Sequence, residues 1–138
     1  MKTLQRQLKA FNKDVEKRVN VYKRKLAQTI ALKLIMATPV DTSTALSNWI
    51  VSLGQARGRL ITAHSVGTKG STEAVSSSMA YSMANTVIQR AKVGEIVYIT
   101  NSVDYIQLLN FGSSPQAERY FIQHAVEDAV EQIKRVKI

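Results

Sequence analysis

An apolar residue recurs every three or four positions from Leu4 to Leu34, through Leu8, Phe11, Val15, Val19, Tyr22, Leu26 and Ile30, until the segment Thr38-Pro39-Val40-Asp41-Thr42 breaks the pattern. That spacing is one face of an α-helix and predicts a helix over residues 1–37, about 50 Å long at 1.5 Å per residue. Pro39 has no amide hydrogen and pushes Thr38 out of helical dihedrals, while Asp41, Thr42 and Ser43 are all good caps for a new short helix before Trp49. One helix ends and another begins within a few residues. A compact body built from a chain of this length is only about 30 Å across, so part of the first helix is expected to project. Its apolar face widens after Leu26, where Ala27, Ala31 and Ile35 join. The later half is therefore expected to pack on the body and the earlier half to meet other copies or other proteins.

Charge is concentrated on the same helix. Ten basic residues (Lys2, Arg6, Lys9, Lys13, Lys17, Arg18, Lys23, Arg24, Lys25 and Lys33) face only Asp14 and Glu16, which places +8 of the net +9 before residue 34. Such a helix suits phosphates, an acidic protein surface, anionic lipid or plain solvent, and charge alone does not choose among them. Apolar residues near the amino terminus are interrupted by Lys2, Arg6 and Lys9, and the run 30–37 contains Lys33, so neither a signal peptide nor a membrane-spanning helix is read. Cysteine is absent, which removes disulfides, thiolate metal sites and a cysteine nucleophile.

After the corner, Trp49 to Leu53 and Leu60 to Val66 read as strands joined by the glycine-containing segment 54–59, a hairpin. Thr72 is placed to cap a helix from Glu73 to about Ala91, with Val75, Met79, Met83 and Val87 on one stripe. Gly94 to Thr100 reads as a third strand, with Ile96 and Tyr98 on one face and Val97 and Ile99 on the other. Val103 to Phe111 reads as a short helix closed by Gly112. A last helix is expected from Pro115 to Val136 with Phe121, Ile122, Ala125, Val126, Ala129 and Ile133 inward. The expected fold is one α+β domain over residues 1–138: a long basic helix (1–37) and an α+β body (38–138) with a small antiparallel sheet flanked by helices and a C-terminal helix.

Chemistry is thinly represented. His64 is expected to serve the sheet, and His124 with Glu127 or Asp128 offers too few ligands for a metal. The loop Gly67 to Thr72 lacks the order of a phosphate-binding loop, and no serine sits in a nucleophile elbow, so a hydrolase is not the working reading. No cofactor is implied. Aromatic interleaving on the basic helix is limited to Phe11 and Tyr22, which belong to the apolar stripe, and no sequence-specific nucleic-acid motif occurs. Nonspecific DNA binding through the basic helix remains as the alternative function.

The runs Asn101-Ser102-Val103-Asp104-Tyr105-Ile106-Gln107-Leu108-Leu109-Asn110-Phe111-Gly112-Ser113 and Pro115-Gln116-Ala117-Glu118-Arg119-Tyr120-Phe121, taken with Thr38-Pro39-Val40-Asp41-Thr42 and Leu46-Ser47-Asn48-Trp49, resemble the tail-completion or neck proteins of tailed bacteriophages, the group of head-tail joining and minor tail proteins. The order and spacing of these motifs match across almost the whole chain. Ser43 stands where that family often has glycine, Asn110 where it has glutamate and Ser113 where it has threonine.

The resemblance implies a structural virion component without catalytic site or cofactor, made in the host cytoplasm. It would be assembled as a ring, hexameric on the tail side or dodecameric on the head side, between head connector and tail. Neighbouring neck, connector, tail terminator or tail tube proteins would be its partners, with DNA passing through the lumen. Candidate interface residues are Lys9, Lys13, Lys17, Arg18, Lys23, Arg24 and Lys25 on the helix, and Asn110, Phe111, Gly112 and Ser113 at the turn. Pro39, Asp41, Thr42, Trp49 and Tyr105 form the structural corner, with Trp49, Tyr105 and Phe111 expected as core anchors.

Overall fold

The computed structural model describes residues 2–136, so residues 1, 137 and 138 of the expected domain lie outside the described residues. Among the described residues, the elements in order are α1 (Lys2–Ala37), α2 (Thr44–Ser47), β1 (Trp49–Leu53), α3 (Glu73–Ile88), β2 (Val97–Asn101), α4 (Ile106–Asn110) and α5 (Phe121–Lys134). The fold is α+β and mostly helical, with a long N-terminal helix, a two-stranded antiparallel sheet and a C-terminal helix.

No glycine or proline interrupts α1 before Pro39, and it runs unbroken for 36 residues. Its stop is secured by a side chain from further along the chain. The Thr38 hydroxyl donates to the Leu34 carbonyl at 2.6 Å and accepts the Trp49 indole N–H at 2.8 Å. Trp49 is itself buried, so the corner is fastened to the core rather than left to Pro39 alone.

The later half of α1 is the common element of the core, with both α5 and α3 packed along it and β1 against α3. Each of the three long helices brings alanines four residues apart to this contact: Ala27 and Ala31, Ala80 and Ala84, Ala125 and Ala129. Small side chains let helix axes approach closely, and Leu34, Ile35, Leu46, Trp49 and Phe121 fill the space around them. Strands β1 and β2 pair with Trp49 opposite Asn101 and Leu53 opposite Val97. Val51, Val97 and Ile99 close the core over Ala27, Ala31, Ala84 and Ile88.

Several expectations need correction. Leu60 to Val66 is not a strand and makes no hairpin; β1 takes β2 as its partner instead. Buried side chains satisfy the backbone of this segment. Asn48 accepts the Ile61 N–H at 2.8 Å and donates to the Ile61 carbonyl at 3.0 Å, Ser47 Oγ accepts the His64 N–H, and Ser76 Oγ bonds both the N–H and the C=O of Ser65. On α3, the stripe Val75, Met79 and Met83 is exposed. The inward face lies one residue on, at Ser76, Ala80, Ala84 and Ile88, where the small alanines pack in the core and the Ser76 hydroxyl serves Ser65.

The last helix begins at Phe121, not Pro115. Tyr120 has φ +61°, outside the helical region, and its N–H donates to the Asn110 carbonyl. Asn110 Oδ1 then accepts the Ile122 N–H at 2.9 Å, which satisfies a free donor of the first turn of α5.

Candidate functional site

Residues 3–19 of α1 are exposed on all sides and form an arm of about 25 Å at 1.5 Å per residue. Its apolar stripe is bare, with Leu4 56%, Leu8 54%, Phe11 64% and Val19 61% exposed. At about 100° per residue, Arg6, Lys9, Lys13 and Lys17 fall on one ridge on the side of the helix opposite that stripe. Arg18 sits beside the stripe and pairs with Asp14 at 3.0 Å. The stripe also has a finer order. Leu4, Val15 and Leu26 are spaced by eleven residues, as are Leu8, Val19 and Ile30, and Phe11 and Tyr22. An eleven-residue repeat is 3.67 residues per turn, so the apolar line stays on one side of a nearly straight helix.

Where the arm meets the body, the stripe runs into an apolar groove of about 560 Å³ between α1 and the segment leading into β2. Val15, Val19, Leu26 and Ile30 line one wall, and Val93, Ile96, Val97 and Ile99 the other. Beneath it, three α1 side chains close the C-terminal end of the α3 segment. Asn20 Nδ2 and the Arg24 guanidinium donate to the Ala91 carbonyl, and Lys23 Nζ donates to the carbonyls of Lys92 at 2.8 Å and Glu95 at 2.6 Å. Cations there also oppose the negative end of the α3 dipole. Lys23 and Arg24, expected at an interface, are therefore held inside the subunit. Lys9, Lys13, Lys17 and Lys25 are exposed.

The corner and the turn come together, as separate motifs about 60 to 76 residues apart in the chain do not reveal. The Val40 N–H donates to Gln116 Oε1 at 2.8 Å, and Asp41, Thr42, Thr44, Tyr105 and Ser114 line a polar recess of about 280 Å³ between them. Asp41 Oδ1 accepts the Lys69 N–H at 2.6 Å and its carbonyl accepts that of Gly70, so the corner also holds the loop 67–72. Thr42 does not cap α2. Its hydroxyl bonds the Thr44 hydroxyl, and the residue flanking α2 is Ser43, in the left-handed region at φ +66° with its Oγ on Thr72 Oγ1. Positive φ is the conformation glycine adopts most readily, so Ser43 holds a backbone position that glycine would suit.

Tyr105 and Phe111 are not core anchors: they are 39% and 54% exposed. Phe111 packs edge-on against Tyr120, whose ring also carries the Arg119 guanidinium 5.0 Å from its centroid. Asn110 is buried and works as a cap, with its amide donating to Gln123 Oε1. Gly112, at φ +96°, turns the chain beside Arg119, and Ser113 is exposed. Of the expected turn interface, Phe111, Gly112 and Ser113 are at the surface and Asn110 is buried.

The two histidines lie apart. Burial lowers the His64 pKa below the usual imidazole value, while a 2.8 Å contact with Glu118 raises that of exposed His124. Among the described residues no group of three or more potential metal ligands occurs, and no helix is long and apolar enough to cross a membrane. In the loop 67–72, a carboxylate oxygen of Asp41 occupies the Lys69 amide that an anion would need. No protein-family model, no curated protein and no solved structure matches this chain.

Residues missed in the sequence are Asn20, Ser47, Asn48, Ser76 and Gln116, polar groups whose partners are distant in the chain. The eleven-residue repeat of α1 was missed too, although the spacing of its apolar positions carries it.

Proposed function

We propose that the protein is a structural subunit of the neck of a tailed-bacteriophage particle, a ring component that completes the tail and joins it to the head connector. The observation that carries this reading is the arm: a helix half of whose length carries large apolar residues with no cover in a lone subunit. A surface of that kind belongs to an assembly. The order of the corner, strand, turn and final helix supports the same reading, as does the direct contact of corner and turn through Val40 and Gln116. In a ring the neighbour contact is heterologous, and the exposed Phe111, Tyr120 and Arg119 cluster is a second surface available to it. Other neck, connector, tail terminator or tail tube proteins would be the partners, and the virion the location.

Native mass measurement with purified tail tubes and connectors tests this. A hexamer or dodecamer seated on one of them is expected; a protein that never associates with either overturns the reading.

The basic ridge favours a second function, nonspecific DNA binding, either in the ring lumen or independently. Four cations on four phosphates give a salt slope near −3.6, so affinity should fall roughly a hundredfold between 50 and 200 mM salt. Replacing Lys9 and Lys13 by glutamine should lower that slope by about 2. Absent or salt-insensitive binding removes this reading.

A further inference from the structure

We infer that the free protein pairs with a second copy of itself through α1, antiparallel and two-fold symmetric about Val15. The stripe is its own mirror image along the helix. With Val15 at the centre, an antiparallel partner sets Phe11 against Val19, Leu8 against Tyr22 and Leu4 against Leu26. Every apolar position then meets an apolar position, over about 33 Å of helix. The eleven-residue repeat keeps the two lines in register without strong supercoiling.

Charge selects this arrangement over the parallel one. On the flanks of the stripe, antiparallel pairing brings Asp14 beside the second copy's Arg18, and Lys25 beside its Gln7. Parallel pairing would set Arg18 against Lys23. The α1 carboxylates, Asp14 and Glu16, both lie next to the two-fold point, among Lys13, Lys17 and Arg18 of the two helices. The ridge of Arg6, Lys9, Lys13 and Lys17 stays outside, on the far side of the helix.

The groove is the receiving half of the same contact. The tip of one arm, Leu4 and Leu8, lies along Tyr22 and Leu26 of the other copy, where Val93 and Ile96 beside Leu26 extend the apolar wall. A groove open at the side the arm leaves from is what a two-fold pair requires, since each copy both inserts and receives. The pair covers the stripe in the free protein. It stands independently of the neck reading.

Because the chain has no cysteine, single cysteines report the geometry directly. Val15→Cys alone should oxidise to a covalent dimer at least tenfold faster than Phe11→Cys or Val19→Cys alone, while an equimolar mixture of those two should cross-link as a heterodimer. All three positions lie on the exposed arm, so the subunit core is untouched, and sedimentation of the unmodified chain should give twice its 15.3 kDa mass. A sedimenting monomer, or Phe11→Cys and Val19→Cys linking to themselves as readily as Val15→Cys, overturns the pairing. Rings on tails with no dimer in solution would overturn it and leave the neck reading in place. A dimer that ignores tails and connectors would do the reverse.

Discussion

Trp49→Ala is expected to destabilise the fold by about 3–5 kcal/mol, measured by urea unfolding followed by circular dichroism. The side chain sits in the main core cluster with Leu34, Ile35, Val40, Leu46, Ala80 and Ala125, and truncation leaves a cavity among elements that all depend on α1. It also removes the donor to the Thr38 hydroxyl, the contact that fastens the end of α1 to the body. Trp49→Phe separates the two contributions. Most of the apolar volume stays and the hydrogen bond goes, so the loss should be near 1 kcal/mol, the usual net value of one such bond plus a small packing defect. Equal losses for the two variants would show that the core is not where the tryptophan acts.

Asn48→Ala is expected to cost about 3 kcal/mol although it removes only a small polar group. Asn48 is fully buried, and its amide replaces the strand that the segment after residue 59 never finds. It donates to the Thr44 and Ile61 carbonyls and accepts the Ile61 N–H, so alanine leaves the N–H and C=O of Ile61 without partners, while the Thr44 carbonyl keeps the backbone N–H of residue 48. Each unpaired buried group costs roughly 1–3 kcal/mol, reduced here because Ile61 is only half-buried. The Ile61 and His64 amides should also lose protection in hydrogen exchange before the core does. If their exchange is unchanged, the asparagine is not the support of that segment.

These two neighbours show where sequence reading succeeds and fails. Trp49 was legible as an anchor because burial of a large aromatic is nearly a property of the residue. Leu60 to Val66 was misread because its β-rich composition is real, but the ladder it suggests is replaced by the side chains of Ser47, Asn48 and Ser76. Nothing local distinguishes a backbone paired to a strand from one paired to side chains. The same reasoning covers Lys23 and Arg24. On a helical wheel they are two more cations of a basic helix, and only the position of the α3 terminus turns them inward. Phe111 fails in the other direction: an aromatic beside a glycine turn suggests a core anchor, yet it packs on Tyr120 at the surface.

What the chain alone determined is therefore what short-range physics controls. A 36-residue helix without glycine or proline, its single apolar line, its stop at Pro39 and its load of positive charge all follow from residues within a few turns of one another. Which half of that helix is covered also followed from the widening of its apolar face after Leu26, whereas which of its cations are free and which strand β1 accepts were decided only in three dimensions. Those outcomes depend on carbonyls and side chains brought from 50 to 70 residues away, and the energy of a hydrogen bond or a buried methyl group does not record how far along the chain its partner lies.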